Sequence, residues 1–78
     1  MSAIHEICQA REKAGFTILQ LAVAAGVDPS TVWRWENGKG KPQFGGISML
    51  RDTLAGMINE KIGKLADLHD RVQSIKTQ

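Results

Sequence analysis

The sequence predicts an all-α fold of five helices, of which the last is extended and amphipathic. An apolar run that ends at Gly26 is followed at once by Asp28-Pro29, a pair typical of a helix start. Glycines at 15, 38 and 56 divide the chain into segments of helical length. After residue 57, apolar residues recur every three or four positions, which is the period of a helix face.

The first helix is expected over about residues 2–14, with Ser2 as its cap and Gly15 at its end. One broad face of this helix carries Ile4, Ile7, Cys8 and Arg11. Because Cys8 is the only cysteine, the chain cannot form an internal disulfide. We expect Cys8 to pack as a small apolar residue.

Two short helices follow, joined by a tight turn. The second is expected over about residues 17–25 and ends at Gly26, since glycine adopts the left-handed conformation without a Cβ penalty. Ala22 lies where the two helices would cross, and its small side chain allows them to approach closely. Asp28 is expected to cap the third helix, over about residues 29–37.

The third helix divides its residues between two faces. Val32 and Trp35 are expected to point inward, and the residues on or near the other face are Ser30, Thr31, Trp33 and Arg34. Together with Ala22 and Gly26, the inward pair has the spacing of a helix-turn-helix, whose second helix lies in the major groove of DNA. We therefore expect Ser30, Trp33 and Arg34 to contact bases, with Arg34 donating a bidentate pair to guanine.

A loop and two more helices complete the predicted fold. The loop covers residues 38–44, and a fourth helix is expected over about residues 46–55 before Gly56 ends it. The buried face of that helix carries Ile47, Leu50 and Leu54. Asn59 is expected to cap a fifth helix that continues to about Thr77.

The predicted fifth helix carries an apolar stripe. With Ile58 as an a position, the a and d residues are Ile58, Lys61, Leu65, Leu68, Val72 and Ile75, with Ile62 beside them. We expect residues 1–57 to form the domain and residues 58–78 to associate with a second copy, because a small domain offers these side chains little to pack on. The alternative is a helix that folds back on its own core.

The segment from Ile7 to Leu50 resembles the Cro/CI (XRE-type) family of phage and bacterial repressors. The matching pieces, all in register, are REKAGFT, LA, AGV, STV, RWENGK and Pro42. The chain departs from the family at Ile18, where the family usually has a glutamine that braces a DNA phosphate. Pro29 and Trp33 stand where polar residues are usual, so the base preference of a relative cannot be transferred to this chain.

The resemblance implies a five-helix lambda-repressor-like DNA-binding domain that regulates transcription on double-stranded operator DNA. The phosphate contacts expected for such a domain are Thr17, Thr31, Asn37, Lys39 and Lys41. The resemblance also implies a structural ion pair between Arg11 and Glu36. A homodimer is expected because two recognition helices can bind half-sites about one helical turn, roughly 34 Å, apart.

Other classes of protein have little support in the sequence. The formal net charge of +2 is only mildly basic, which by itself is a weak indication of nucleic-acid binding. No phosphate-cradling loop, zinc-ligand spacing or pair of nucleophile and base occurs, so we expect no enzyme activity, metal or cofactor. No signal peptide, membrane-spanning run or lipidation motif occurs, so the expected location is the cytoplasm of a bacterium or phage-infected bacterium.

Two alternatives remain open. The same fold can bind another protein, as in an antitoxin or an anti-repressor, and the apolar residues Ile18 and Trp33 at normally polar positions favour that function. A tetrameric CII-like transcription activator, which contacts RNA polymerase, would share the short recognition helix and an oligomerising carboxyl end.

Overall fold

A computed structural model of the chain describes residues 2–42 and 45–77. These residues form four helices, α1 (Ala3–Ala14), α2 (Ile18–Ala25), α3 (Pro29–Glu36) and α4 (Gly46–Gln73). The prediction of an all-α fold is therefore confirmed. Gln43 and Phe44, which end the predicted loop, lie outside the described residues, as do the two terminal residues.

The first three helices each begin at a side-chain cap. The caps are Ser2, Thr17 and Asp28, whose side-chain oxygens accept backbone N–H groups at 3.3, 3.0 and 2.8 Å. Each such bond satisfies a donor that the first turn of a helix would otherwise leave without a partner. Since the predicted bounds included Ser2, Thr17 and Asn37, which are caps, they differ from the observed helices by one residue.

The core lies where the four helices meet. Its fully buried side chains are Leu21, Ala22, Val32 and Leu50, and Ile7 and Leu54 are nearly so. Trp35 packs against this core from α3. A Cβ atom added to Gly46 would lie only 3.1 Å from Cη2 of the Trp35 ring, so the absence of a side chain at Gly46 lets α4 begin close against α3.

The prediction of five helices is wrong, because the expected fourth and fifth helices form one helix of 28 residues. Gly56 and Asn59 lie inside α4, and Gly56 is not among the described glycines with positive φ. A glycine in a helix interior costs about 1 kcal/mol relative to alanine. Packing of Leu54, Met57 and Ile58 on the core outweighs that cost, so the helix crosses the predicted boundary unbroken.

The second half of α4 extends away from the core. Every described residue from 59 onward is exposed, and the molecule measures 58 × 20 × 19 Å. The alternative of a helix folded back on its own core is therefore wrong. The helix ends at Gln73, capped by Ser74, rather than at Thr77, so that Ile75 lies beyond it. None of the described helices combines the length and the apolar composition needed to cross a membrane.

Candidate nucleic-acid interface

The turn between α2 and α3 is built around Gly26, which has a left-handed φ of 72°. The N–H of Gly26 donates to the carbonyl of Val23 at 3.2 Å, and the N–H of Val27 donates to that of Ala22 at 2.9 Å. Such bonds close the end of a helix by satisfying its free carbonyls. Because Val27 then packs on the core, the chain turns directly into α3.

The start of α3 is held by Asp28 and Ser30. One carboxylate oxygen of Asp28 accepts from the Ser30 hydroxyl at 2.6 Å and from the Ser30 N–H at 2.8 Å. The hydroxyl bond first, and the backbone bond second, hold the pKa of Asp28 below its ordinary value of 3.8. Pro29 occupies the first helical position, where its missing N–H has no consequence.

One face of α3 is buried and the other is open to solvent. Val32 is fully buried, whereas Ser30, Trp33 and Arg34 are exposed, Trp33 by 47% of its surface. Residues three and four positions apart are neighbours on a helix, so these three exposed side chains form one patch. We call this patch the α3 surface. It contains the three residues that the sequence suggested as base contacts.

Cations lie at the carboxyl end of α3, where the helix dipole favours positive charge. Arg34, Lys39 and Lys41 are exposed, and none of them forms an ion pair with another described residue.

Two hydrogen bonds close the end of α3. The Asn37 side-chain amide donates to the carbonyl of Trp33 at 2.8 Å, and the N–H of Lys39 donates to the carbonyl of Arg34 at 2.8 Å. These bonds fix the direction in which the chain leaves α3.

The start of α2 carries a feature that the sequence reasoning missed. The side-chain oxygen of Gln20 accepts the N–H of Thr17 at 2.8 Å, while the Thr17 hydroxyl oxygen accepts the N–H of Gln20 at 3.0 Å. This reciprocal arrangement is a capping box, and its signature, Thr followed three residues later by Gln, is visible in the sequence. It holds the Gln20 amide beside Thr17.

Thr31 differs from the other predicted phosphate contacts in its exposure. Thr17, Asn37, Lys39 and Lys41 are exposed, but Thr31 is only half-exposed. It lines a hollow between α3 and the start of α4. Thr31 is therefore less accessible than the other four predicted phosphate contacts.

Comparison with known families agrees with this geometry. A family model described as helix-turn-helix matches residues 8–45. Those residues form an XRE-type helix-turn-helix domain. The match includes α2, the turn, α3 and most of α1, and it confirms the resemblance to the Cro/CI family and the DNA-binding character of the fold. Comparisons with curated proteins and with solved structures gave no significant match.

An ion pair joins α1 to the last residue of α3. Arg11 Nε lies 3.0 Å from one oxygen of Glu36 and Nη2 lies 2.9 Å from the other, while Nη1 donates to the carbonyl of Phe16 at 2.8 Å. The two side chains are only 9% and 4% exposed. Hydrogen bonding to Glu36 raises the pKa of Arg11 above its ordinary value.

Cys8 lies next to this pair, with its sulfur 3.9 Å from Arg11 Nη2. Burial and, after it, the neighbouring Glu36 carboxylate raise the pKa of the Cys8 thiol above its ordinary value of 9.0. The thiolate is the reactive form of cysteine, so this environment favours a packing role for Cys8. Within residues 2–42 and 45–77, no three His, Cys, Asp or Glu side chains lie close enough to hold a metal ion.

The residues expected to mediate oligomerisation fall into three groups. Four are exposed on the free part of α4: Ile62, Leu65, Leu68 and Val72. Ile58 is half-buried against the core of its own chain, and Ile75 lies after the helix. Lys61, which interrupts the predicted stripe, instead contacts the end of α1 and the segment after it: its Nζ donates to the carbonyl of Ala14 and lies 5.1 Å from the centre of the Phe16 ring.

Proposed function

We propose that this chain is a sequence-specific transcription regulator that binds double-stranded operator DNA as a homodimer, with α3 in the major groove. The observation that carries the proposal is the α3 surface. In an XRE-type domain it is the exposed face of the second helix of the motif, and cations lie at one end of it. The expected class is a repressor of the phage or prophage type.

The three residues of the α3 surface have different chemistry toward a base pair. The Arg34 guanidinium can donate two parallel hydrogen bonds to O6 and N7 of guanine. Trp33 offers an apolar surface that suits a thymine methyl group or a sugar. The Ser30 hydroxyl is already hydrogen-bonded to Asp28, so its oxygen is the atom available to accept from a base amino group.

Phosphate contacts on both sides of α3 would set the position of the helix in the groove. At the start of α2, the Thr17 oxygen accepts from the helix, which leaves its hydrogen free to be donated to a phosphate. The capping box leaves the NH₂ group of Gln20 as a second donor beside it. Gln20 would therefore supply the amide that the family places at the position of Ile18.

On the other side of α3, Lys39 and Lys41 supply charge, Asn37 supplies a polar side chain, and the half-exposed Thr31 supplies a hydroxyl. Dimerisation through the exposed apolar residues of α4 would place two α3 surfaces on one duplex. This doubling is what makes a short recognition helix specific.

The test is DNA binding measured by fluorescence anisotropy at several salt concentrations. Neutralised phosphates release counterions, so the logarithm of the binding constant should fall steeply and linearly with the logarithm of salt. Binding that does not depend on salt, or the absence of binding to any duplex at low salt, would contradict the proposal.

A second candidate function has a specific observation in its favour. Leu19 and Val23, one turn apart on α2, are 59% and 69% exposed, and Trp33 is exposed on α3. An apolar surface of this kind suits a protein partner, as in an antitoxin or an anti-repressor. Replacing Leu19 and Val23 by glutamine separates the two functions, since protein binding would be lost and operator binding kept. Sedimentation of the free protein distinguishes a dimer from the tetramer of a CII-like activator.

A further inference from the structure

A groove lies between α1 and the first half of α4, on the side of the domain where the free end of α4 leaves it. Its volume is about 330 Å³, and its lining is mostly apolar. Ile7, Leu54 and Ile58 line it, and alanines at 3, 10 and 55 leave it open because their side chains are short. Among the described residues that line it, Glu6 and Arg51 are the charged ones, and their charges are opposite, so the groove suits a neutral apolar occupant.

The groove continues into an apolar stripe on the same helix. Residues 51, 55, 58, 62, 65, 69 and 72 follow one another at alternating steps of four and three, so they lie along one face of α4. The first three line the groove, and the rest belong to the exposed part of the helix. In the exposed part, Ile62, Leu65 and Val72 are 60%, 54% and 62% exposed.

The contacts of Lys61 favour this stripe over the one predicted from the sequence. The predicted stripe passes through Lys61, whose ammonium group is occupied by the Ala14 carbonyl and the Phe16 ring of its own chain. The stripe through Ile62 avoids that residue. It contains one polar side chain on the free helix, His69, whose ring has an apolar body.

We propose that a second copy of this chain occupies the groove, with the two α4 helices antiparallel and related by a twofold axis between residues 62 and 65. This inference rests on the proposed homodimer and specifies its geometry. Antiparallel pairing about that axis sets Ile62 against Leu65 of the other copy at the centre. Further out, it sets Ala55 against Val72 and Ile58 against His69, twice by symmetry.

Side-chain size favours the antiparallel arrangement over the parallel one. Val72, which is 62% exposed in its own chain, would meet the short side chain of Ala55 at the groove, so a large residue would enter a hollow. In a parallel pair, Ala55 would face Ala55 and two grooves would face one another, which leaves both of them unfilled. Each copy carries one groove and one exposed length of α4. In a twofold dimer, the exposed length of each copy would therefore lie in the groove of the other.

Cysteine cross-linking tests this geometry in the full-length chain. Two proteins are made in a Cys8→Ser background, one with Ala55→Cys and the other with Val72→Cys, and each is oxidised alone and after mixing. A disulfide needs Cβ atoms about 3.5–4.5 Å apart, so only residues that face one another will form it. The antiparallel pair predicts a covalent dimer in the mixture and none in either protein alone.

The control replaces Ala55→Cys by Ser48→Cys, an exposed position one heptad earlier on the same face of α4. In the antiparallel pair that position lies past the end of the partner's helix and about two helical turns from Val72, so its mixture with Val72→Cys should stay uncross-linked. Cross-linking of Val72→Cys alone would show a parallel pair and overturn the proposal. A protein that sediments as a monomer, or as a dimer without the mixed disulfide, would overturn it too. If Cys8→Ser melts abnormally, the pair is repeated with Cys8 retained.

DNA binding is measured separately on the same proteins, which distinguishes the two ideas. Mixed cross-linking without binding to any duplex would support the antiparallel dimer and contradict the proposed function. Salt-dependent operator binding by a protein that cross-links only as a parallel pair would support the proposed function and contradict the antiparallel dimer.

Discussion

Arg11 and Glu36 tie α1 to the last residue of α3 through two hydrogen bonds of 3.0 and 2.9 Å, in a nearly buried environment. Glu36 is two residues from Arg34, so the pair fixes the end of the helix that carries the α3 surface. A buried pair constrains geometry more than it stabilises, but breaking it leaves a charge without a partner. The domain therefore depends on both residues for folding.

Replacement of Glu36 by alanine should lower the free energy of unfolding by about 3–5 kcal/mol, because Arg11 would remain buried without its carboxylate. The measurement is urea unfolding followed by tryptophan fluorescence. The matched control is Glu12→Ala, since Glu12 is 65% exposed and lies 3.7 Å from the same guanidinium. That control should change stability by less than about 0.5 kcal/mol. Normal melting and normal DNA binding of Glu36→Ala would show that the pair has no structural role.

The cap at Asp28 should make the stability of α3 sensitive to acid. A carboxylate whose pKa is lowered in the folded chain stabilises the fold above its unfolded pKa, and this stability is lost as the pH falls through the folded pKa. The Tm should therefore fall more steeply below about pH 4 in the native protein than in Asp28→Asn, which keeps the acceptor oxygen but does not titrate. Identical Tm profiles for the two proteins would argue against the Asp28 contribution.

Replacement of Arg34 by alanine should reduce discrimination at one base pair of the operator. A bidentate contact to guanine contributes about 1–3 kcal/mol of discrimination, so the preference at that position should relax while the others persist. The measurement is a competition series with single-base operator variants. The control is Lys13→Ala, because Lys13 is exposed on α1 and lies outside both the α3 surface and the groove. An unchanged preference in Arg34→Ala would exclude base contact by this residue.

Lys39 should act on affinity and not on sequence preference. Removal of one phosphate contact weakens all duplexes alike and reduces the slope of the salt dependence by about one. Anisotropy titrations of Lys39→Ala at several salt concentrations measure that slope. Lys64→Ala removes the same charge from the free part of α4 and should leave the slope unchanged. Equal slopes for the two variants would place Lys39 away from the DNA.

The helix starts and the central turn were predictable because they depend on local chemistry. Asp28-Pro29 and Gly26 act through their own backbone conformation and through bonds to residues two to four positions away. Their effect is therefore visible in a short window of sequence. The residues of the α3 surface were predictable from the same short stretch of sequence, because burial of Val32 determines which residues of an eight-residue helix are exposed.

The single long helix was not predictable in this way. Gly56 is a local signal for a helix end, but distant packing of Leu54 and Ile58 on the core overrides it. The contact of Lys61 with Ala14 and Phe16 likewise joins residues more than 40 positions apart, so the spacing of residues within α4 cannot reveal it. The predicted stripe on α4 included Lys61 for that reason.

Selection from a pool of random duplexes tests whether α3 contacts bases in a dimer. The native protein should enrich an inverted repeat whose half-sites are about 10–10.5 base pairs apart, centre to centre, or a multiple of that distance. Arg34→Ala should enrich a motif that is relaxed at one position of each half-site. A selection that enriches no sequence, or that gives the same motif for both proteins, would contradict the account of α3 as the element that contacts bases.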